Sequence, residues 1–573
     1  MPRVSPPKHK VLVLGHDTRA FLSVIRSLGR AGIEVHVAWF EEGAPALRSR
    51  YVTKAHRVPG YVQGGTEWKD ALEALMRREG FDLVIPCDDQ RGLPLAAHRA
   101  ELERWGRLWL PHPEALAVLS DKTKTTDLAR SLGLPVPREA ILSAPHELTS
   151  LKGDFAPPLI LKPPVSYTLA NVEARRLVRR VDSWEAAELL LNEMLTKGPV
   201  AVQEFCRGVG IGVELLLNEG APLLAFQHLR LHEPLHGGGS SYRRGVPVSA
   251  ELLQASLKLL GALRYTGVAM VEVKQEPDTG RWVLLEVNAR FWGSLPLALA
   301  SGADFPLGLY RLLVEGRTVF TDDQRVGLCA RNLRADARWH RMNARADRSD
   351  PTLNTKPWSD VIRETSSSLL SGQERIDTIT LDDPAPGLAE AGQMVREFAR
   401  HRRVLAPWAH ALVSRRRRRR MEAAARAELL RASHVLFVCK GNLGRSPFAA
   451  AIADRLLQDH QHISSAGFLE GGRPSPADAV AAATAWEVDL TEHRSKAVSP
   501  ELVRQSDAIF VFDHQNYSRI VEEFPEARDR LHLLGALDPR GPLFVPDPWG
   551  RGPDVYAAVY RRVAETLTAA ITR

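Results

Sequence analysis

The sequence predicts a multidomain protein that combines α/β and α+β parts, and three observations lead to that prediction. The chain has 573 residues, which is enough for about three to four domains. Its first 130 residues alternate short apolar strands with helices, and a new alternation of this kind runs from Val435 to the end. Between these two regions, strands follow one another with few helices. Parallel sheets are therefore expected at both ends and an antiparallel-rich sheet in the middle.

In the first region, strands are predicted over residues 10–15, 33–39 and 83–86, and helices over residues 20–31 and 68–79. Strands that alternate with helices of this length form βαβ units. In the middle region, one helix is expected over residues 249–263. Further strands there are expected over residues 159–162, 200–205, 214–218, 223–229, 269–275 and 282–288.

The composition is that of a globular protein, with 44% hydrophobic and 25% charged residues. Collagen-like, mucin-like and largely disordered chains are excluded. The net charge is +8, but the run Arg415–Arg420 alone supplies six positive charges. Because the basic excess is local, no nucleic-acid partner is expected. The run is interpreted as a solvated linker, with weak contact to an anionic surface as the alternative.

The number of cysteines and the length of the apolar runs indicate the cellular compartment in which the protein is expected. Four cysteines in a chain of this length are too few for a disulfide framework, which favours a reducing environment. The first apolar run, Val11–Leu14, is too short for a signal peptide, and no apolar window has the length of a membrane-spanning helix. A cytoplasmic protein is therefore expected.

A cysteine nucleophile is predicted where the first C-terminal strand ends, at Cys439. A loop that turns into a helix presents backbone N–H groups to a phosphate dianion. The helix N-terminus and Arg445 would stabilise the Cys439 thiolate, and Arg445 would hold two phosphoryl oxygens. Asp547, in a turn-rich segment 108 residues downstream of the cysteine, is the candidate acid for the leaving oxygen. The loop and the helix start consist of Lys440, Gly441, Asn442, Leu443, Gly444, Arg445 and Ser446.

This pattern, Cys439-x5-Arg445-Ser446 with a later Asp547-Pro548, resembles the low-molecular-weight protein tyrosine phosphatases over residues 433–573. The resemblance implies a doubly wound parallel sheet and a phosphocysteine formed on Cys439. It also implies that Arg445 binds the phosphoryl group, that Asp547 protonates the leaving group and later activates water, and that no cofactor is needed. The substrate would be a phosphotyrosine protein or a small phosphoester. Many family members carry a second cysteine where this chain has Gly444.

In the resemblance, the loop residues have supporting roles. Asn442 shapes the phosphate-binding loop, and the Ser446 hydroxyl supports the thiolate. His493 is interpreted as a structural hydrogen-bonding residue rather than a catalyst.

A nucleotide and metal site is predicted in the middle region. Magnesium prefers carboxylates together with phosphate oxygens and water. Glu286, Asn288 and Arg290 are two residues apart on one predicted strand, so they share a face, and Glu272 joins them if its strand pairs across the intervening turn. Lys122 and Lys162 are candidate phosphate contacts.

The order of these pieces resembles the ATP-grasp superfamily, especially carboxylate–amine ligases, over residues 8–320. The resemblance implies ATP binding by Lys122, Lys162 and Glu204, and Mg²⁺ binding by Glu272, Glu286 and Asn288. Arg290 would stabilise the transferred phosphoryl group or the acyl phosphate. The segments 228–230 and 237–240 would lie near the acceptor substrate, and the carboxylate and amine themselves stay open.

Two functions follow from these resemblances. The first is a bifunctional enzyme, a phosphatase fused to an ATP- and Mg²⁺-dependent carboxylate–amine ligase. The second keeps the phosphatase and makes the N-terminal half a nucleotide sensor without ligation. The second is favoured by the absence of glycine from residues 163–171, where many ATP-grasp enzymes have a glycine-rich loop. The expected domains are a pre-ATP-grasp domain (8–115), an ATP-grasp domain (116–320), a helical extension with the arginine-rich linker (321–430) and the phosphatase domain (431–573).

Overall fold

A computed structural model of the chain describes residues 9–173, 175–235, 238–321, 324–346, 348, 353–397, 399, 415–457, 460–469 and 471–572. The chain divides into two compact units, residues 1–394 and 395–573. Each contains its own buried apolar core, as expected for a chain of this length.

Unit 1 begins with a parallel sheet in the order β3-β2-β1-β4. Every residue of β4 is buried, as are four of the five residues of both β1 and β2, which is typical of the strands of a parallel sheet. The predicted strands and helices of this region are confirmed. The elements are β1 Lys10–Leu14, α1 Ala20–Arg30, β2 Glu34–Ala38, a 3-10 helix Pro45–Arg48, β3 Val52–His56, α2 Glu67–Glu79, β4 Leu83–Pro86, α3 Asp89–Ala97, α4 Arg99–Leu102, α5 Pro113–Leu119 and α6 Lys122–Ser131.

A four-stranded antiparallel sheet follows, in the order β5-β8-β6-β7. One face packs on α7, where Leu191 and Ala187 are fully buried against Leu159 and Leu161. The strand predicted at residues 159–162 is confirmed at those bounds. The elements are β5 Glu139–Leu142, a 3-10 helix Pro145–Gly153, β6 Leu159–Lys162, β7 Arg179–Val181, α7 Trp184–Leu195 and β8 Val200–Glu204.

The largest sheet of unit 1 has seven strands in the order β13-β12-β9-β10-β11-β14-β15. Its strands are antiparallel except for the parallel pair β14-β15. Because β14 and β15 come from residues beyond 320, part of the predicted helical extension completes this sheet. The elements are β9 Val209–Asn218, β10 Ala221–His232, β11 Tyr242–Val246, α8 Ala250–Ala262, β12 Gly267–Gln275, β13 Trp282–Asn288, α9 Leu295–Ser301, α10 Phe305–Glu315, β14 Cys329–Arg331, α11 Leu333–Arg345, α12 Trp358–Leu370, β15 Glu374–Ile376 and α13, residues 385–397.

Unit 2 is built on a parallel sheet in the order β17-β16-β18-β19. Helix α15 follows β16 after the loop 440–444 and packs against α19 in the core, where Phe448 stacks on Tyr560 with ring centroids 3.9 Å apart. The elements are α14 Arg415–Arg431, β16 His434–Cys439, α15 Arg445–Leu456, β17 His462–Gly467, α16 Ala477–Thr484, α17 Pro500–Gln505, β18 Ala508–Val511, α18 His514–Glu523, 3-10 helices Pro525–Arg530 and Leu534–Leu537, β19 Leu531–Leu533 and α19 Pro553–Thr572.

Within the described part of the chain, no individual helix has the length and apolar character needed to cross a membrane. The sharply bent pair α9 and α10 meets those criteria only when both helices are taken together, with an angle of 84° between them. Leu295, Leu297, Phe305 and Leu309 of this pair are fully buried in the core of unit 1.

Candidate active sites

The predicted phosphate-binding loop lies at the C-terminal end of β16, the central strand beside β17 and β18. Cys439 is buried there, and its Sγ receives a hydrogen bond from the backbone N–H of Asn442 at 3.2 Å. The Ser446 hydroxyl lies 3.1 Å from the same sulfur. Because the loop turns into α15, the helix N-terminus faces Cys439, as the sequence predicts.

Asn442 holds the loop in shape. Its φ of +53° is in the left-handed region, where asparagine is one of the few tolerated residues. Its amide donates to Ser446 Oγ at 2.9 Å and Ser465 Oγ at 2.8 Å, and its Oδ1 accepts from Lys496 N at 2.7 Å. The side chain therefore ties the loop to β17 and to the segment after His493.

His493 supports the same loop, as the sequence analysis interprets it. Its Nε2 lies 2.8 Å from the backbone oxygen of Asn442. Burial lowers the pKa of His493, which favours the neutral ring with a proton on Nε2. That proton is then donated to the carbonyl, which fixes the loop without placing the imidazole at the sulfur.

Arg445 gathers the acidic side chains of the site. Its guanidinium is 2% exposed and binds Asp513 Oδ2 at 2.8 Å, Asp547 Oδ2 at 2.9 Å and the carbonyl of Val545 at 3.1 Å. Burial opposes the charge of Arg445, but Cys439, Asp547 and Asp513 together raise its pKa above the usual value. The three predicted catalytic residues Cys439, Arg445 and Asp547 thus meet in one site.

Gly444 lies where a side chain would be crowded. A Cβ at this position would be 3.1 Å from Tyr556 Cε1 and 3.3 Å from Tyr560 Oη. Both tyrosines belong to α19 and are buried. The lack of space beside the two tyrosines explains why glycine fits here. No sequence signal near residue 444 predicts this crowding.

The predicted metal ligands of unit 1 also converge. Strands β12 and β13 are antiparallel neighbours, with Glu272 opposite Glu286 in the register. The Asn288 amide lies 3.0 Å from Glu272 Oε1 and 3.3 Å from Glu286 Oε1. Two carboxylates and a side-chain amide at one point form a set of oxygen-bearing side chains that suits Mg²⁺.

The surroundings of Glu272 and Glu286 shift the pKa values of the two carboxylates in opposite directions. Burial raises the pKa of Glu272, although Arg230 lies 2.6 Å from its Oε2. Burial also opposes ionisation of Glu286, but Lys122 and Arg290 outweigh it and lower its pKa. The environment therefore keeps Glu286 ionised, the state in which a carboxylate binds a cation.

A glycine on β9, Gly210, allows Arg230 to reach the cluster. Strand β9 lies between β10, which carries Arg230, and β12, which carries Glu272. A Cβ on Gly210 would be 2.7 Å from Arg230 Cδ, so the arginine crosses β9 over a residue without a side chain. Sequence reasoning assigns Arg230 to the acceptor region, and the structure places it beside the predicted metal ligands. Residue 237 of the predicted acceptor segment 237–240 lies outside the described residues.

A cleft in unit 1 brings together Lys122, Glu286, Asn288 and Arg290. The Lys122 ammonium lies 2.6 Å from Ser166 Oγ, and burial lowers its pKa. The glycine-free segment 163–171 borders this cleft through three residues. These are Val165, Ser166 and Tyr167.

Asp89 is a functional candidate that the sequence analysis does not identify. It begins α3 three residues after the end of β4, lines the cleft, and binds Arg290 Nε through Oδ2 at 2.9 Å. An acidic pair after a buried parallel strand, here Asp88 and Asp89, is the sequence signal that could have revealed it, because such strand ends line ligand crevices.

Lys162 and Glu204 have other partners. Lys162 is buried and forms an ion pair with Glu139 at 2.9 Å on β5. Glu204 ends β8 and accepts from the backbone N–H and the Nε of Arg138, both at 2.8 Å. Neither residue borders the cleft that contains Lys122. Their assignment to ATP stays a prediction.

Comparisons with known proteins decide the family of unit 2. The model of the low molecular weight phosphotyrosine protein phosphatase family matches residues 434–573. The low molecular weight protein-tyrosine-phosphatase Wzb of Escherichia coli K12 is 32% identical over 133 residues, which cover 22% of this chain and 86% of Wzb. The chain belongs to this phosphatase family through its C-terminal unit.

The region before the phosphatase domain matches a different class of protein. D-aspartate ligase of Enterococcus faecium is 23% identical over 326 residues, or 53% of this chain and 76% of the ligase. A biotin carboxylase from Campylobacter jejuni has a TM-score of 0.46 at 16% identity, covering 56% of this chain and 74% of its own. The sequence match to D-aspartate ligase agrees with the ATP-grasp resemblance.

Proposed function

We propose that the C-terminal domain hydrolyses phosphomonoesters, with protein phosphotyrosine as the substrate class. The observation that carries the proposal is the meeting of Cys439, Arg445 and Asp547 in one site, with Arg445 bound to Asp547 at 2.9 Å. Membership of the phosphatase family supports the same chemistry.

The reaction takes two displacements at phosphorus. The Cys439 thiolate attacks the phosphoryl group, the P–O bond to the substrate breaks, and Asp547 gives its proton to the leaving oxygen. Water then attacks the phosphocysteine, Asp547 takes a proton from it, and inorganic phosphate leaves as the thiolate re-forms. Arg445 and the backbone N–H groups of the loop stabilise the charge on the phosphoryl oxygens throughout.

The test is hydrolysis of p-nitrophenyl phosphate by the full chain. Cys439→Ser should abolish turnover, because a serine hydroxyl is a far weaker nucleophile without an adjacent base. Cys206→Ser, in unit 1, is the matched control and should leave the rate unchanged. Turnover that survives in Cys439→Ser, or none in the folded wild type, contradicts the proposal.

We also propose that the N-terminal unit joins a carboxylate to an amine at the expense of ATP. Lys122 and Arg290 would bind phosphate oxygens in the cleft, and Glu272, Glu286 and Asn288 would hold Mg²⁺, which neutralises charge on those phosphates. The convergence of the three oxygen donors and two cations supports this assignment. The sequence match to D-aspartate ligase makes an amino acid a reasonable first choice of substrate.

A nucleotide sensor is the alternative for this unit, and one assay separates the two. The full chain is incubated with Mg-ATP and mixtures of amino acids, and ADP release is measured together with p-nitrophenyl phosphate hydrolysis. Ligation requires ADP release that depends on both a carboxylate and an amine. Binding of ATP without release, with a change in phosphatase rate, supports the sensor.

We propose that the protein works in the cytoplasm. The phosphatase mechanism needs Cys439 as a free thiolate, and a reducing compartment preserves that form. Fractionation of the source cells, followed by immunodetection of the chain, tests the location. Recovery from an oxidising compartment would contradict it.

A further inference from the structure

Helix α14 is part of the phosphatase unit, although its arginine run reads as a linker in the sequence. Ala425 and Leu429 of this helix are fully buried in the core of unit 2. Arg418 lies 7 and 11 residues before them, which places it on the same helix face. Arg416, Arg417, Arg419 and Arg420 are exposed, so Arg418 is the one arginine turned inward among those of the run whose side chains are described.

Arg418 binds the backbone of a single loop, residues 535–545. One nitrogen of its guanidinium, Nη2, lies 2.8 Å from the carbonyl oxygen of Asp538 and 3.3 Å from that of Gly535, and it also contacts the carbonyl of Gly541. These three carbonyls converge on one cationic group. Removing the cation would leave these backbone acceptors without that partner, which is unfavourable for carbonyls that are partly buried.

The loop is tightly folded on itself around this contact. A Cβ on Gly535 would lie 2.3 Å from the carbonyl oxygen of Leu543, so the two segments touch through backbone atoms. Leu543 is buried, and Arg562 of α19 donates to the carbonyl of Phe544 at 2.7 Å. Two arginines from the helices at either end of the unit therefore hold one loop.

The same loop leads into the active site two residues later. Val545 is buried; its N–H donates to the carbonyl of Phe512 at 2.8 Å, and its carbonyl accepts from Arg445. Asp547 follows and binds Arg445 as well. The path from Arg418 to Asp547 thus consists of backbone contacts along one short segment.

We propose that Arg418 is a positioning residue for the general acid Asp547, acting through the loop 535–545, so that this one arginine of the run is part of the phosphatase machinery. The inference rests on the proposed phosphatase function. Burial lowers the pKa of Arg418, and its Nε has no partner among the described residues. Burial of a charged group with an unpartnered nitrogen is unfavourable, so its presence here agrees with a role in fixing the loop.

The test uses the full chain with two substrates that differ in leaving group. Phenyl phosphate needs an acid to protonate its oxygen, whereas p-nitrophenyl phosphate releases a stable phenolate and needs the acid less. In Arg418→Ala, the kcat/KM ratio of p-nitrophenyl to phenyl phosphate should rise about tenfold. The exposed neighbour variant Arg419→Ala is the matched control and should keep the wild-type ratio.

Two further variants separate positioning from loss of folding. Arg418→Lys keeps a cation that can donate to the carbonyls and should restore most of the wild-type ratio; Arg418→Gln replaces the alanine variant if that variant does not fold. Combined with Asp547→Asn, Arg418→Ala should change the ratio no further. An unchanged ratio in folded Arg418→Ala or Arg418→Gln, or an effect that persists in the double variant, overturns the proposal. Absence of wild-type turnover instead refutes the phosphatase function itself.

Discussion

Arg445 Nη2 lies 2.9 Å from Asp547 Oδ2, so the predicted phosphate-binding residue also holds the predicted general acid. Asp513 accepts from the other terminal nitrogen of the same guanidinium at 2.8 Å. An arriving phosphate would compete with both carboxylates for Arg445. Because Asp547 is 40% exposed while Arg445 is 2% exposed, Asp547 is the partner that is free to move toward the leaving group.

Replacing the acid should slow the reaction selectively. In Asp547→Asn, kcat/KM for phenyl phosphate should fall by about 10²–10⁴-fold, because proton transfer to the leaving oxygen is lost. The loss with p-nitrophenyl phosphate should be smaller. Steady-state kinetics with both substrates measures the difference, and the exposed Asp554→Asn is the control. Equal losses of kcat/KM on the two substrates would show that Asp547 is not the general acid.

Asn442 offers a test of how the loop is held. Asn442→Gly and Asn442→Ala both lose the bonds to Ser446, Ser465 and Lys496, but only alanine must also adopt a φ of +53°. The alanine variant should therefore be less stable by about 1 kcal/mol or more. The urea midpoint of phosphatase activity reports on unit 2 alone. Equal midpoints would show that the backbone conformation imposes no cost.

The local elements were predictable, and the contacts between distant segments were not. Strands β6 and β13 follow from their apolar residues and flanking turns, and the Cys439–Arg445 spacing reveals the phosphate loop. The inward orientation of Arg418 depends on which face of α14 packs on the core. The burial of Ala425 and Leu429 determines that face. Six identical side chains carry no periodicity of their own, so the sequence predicts a solvated run.

The same limit applies to unit 1. The alternation on β13 predicts that Glu286 and Asn288 share a face, and their meeting with Glu272 follows once the strands pair. The approach of Arg230 needs the glycine at position 210 on an intervening strand. The contact of Arg230 with the cluster depends on the order of the strands in the sheet. A single sequence does not show that order locally.

Glu286 should be essential for magnesium-dependent nucleotide binding. Glu286→Gln removes the ionised carboxylate that Lys122 and Arg290 favour, and the affinity for Mg-ATP should weaken more than about tenfold, since charge is the main attraction for this cation. Calorimetry with and without Mg²⁺ measures the effect on the full chain. Glu276→Gln, which removes a carboxylate at the turn of the same hairpin, is the control. Unchanged magnesium dependence would place the metal elsewhere.

A buried histidine pair should make unit 1 sensitive to acid. His56 Nε2 lies 2.9 Å from His36 Nδ1, and burial, followed by the charge of His36, lowers the pKa of His56 to about 4. Lys54 and Arg78 act in the same direction, while Glu79 opposes them. In the unfolded chain, His56 therefore binds a proton near pH 6.5. In the folded unit, it binds that proton only near pH 4.

The sign follows from that difference. Between pH 6.5 and pH 4 the unfolded state binds more protons, so the free energy of unfolding falls as the pH is lowered. His56→Gln should flatten this dependence, and the exposed His146→Gln should not. Urea unfolding followed by tryptophan fluorescence is the measurement, because nine of the twelve tryptophans precede residue 395. If His56→Gln loses stability between pH 6.5 and 4 as steeply as the wild type, the His36–His56 pair is not the source of the acid sensitivity.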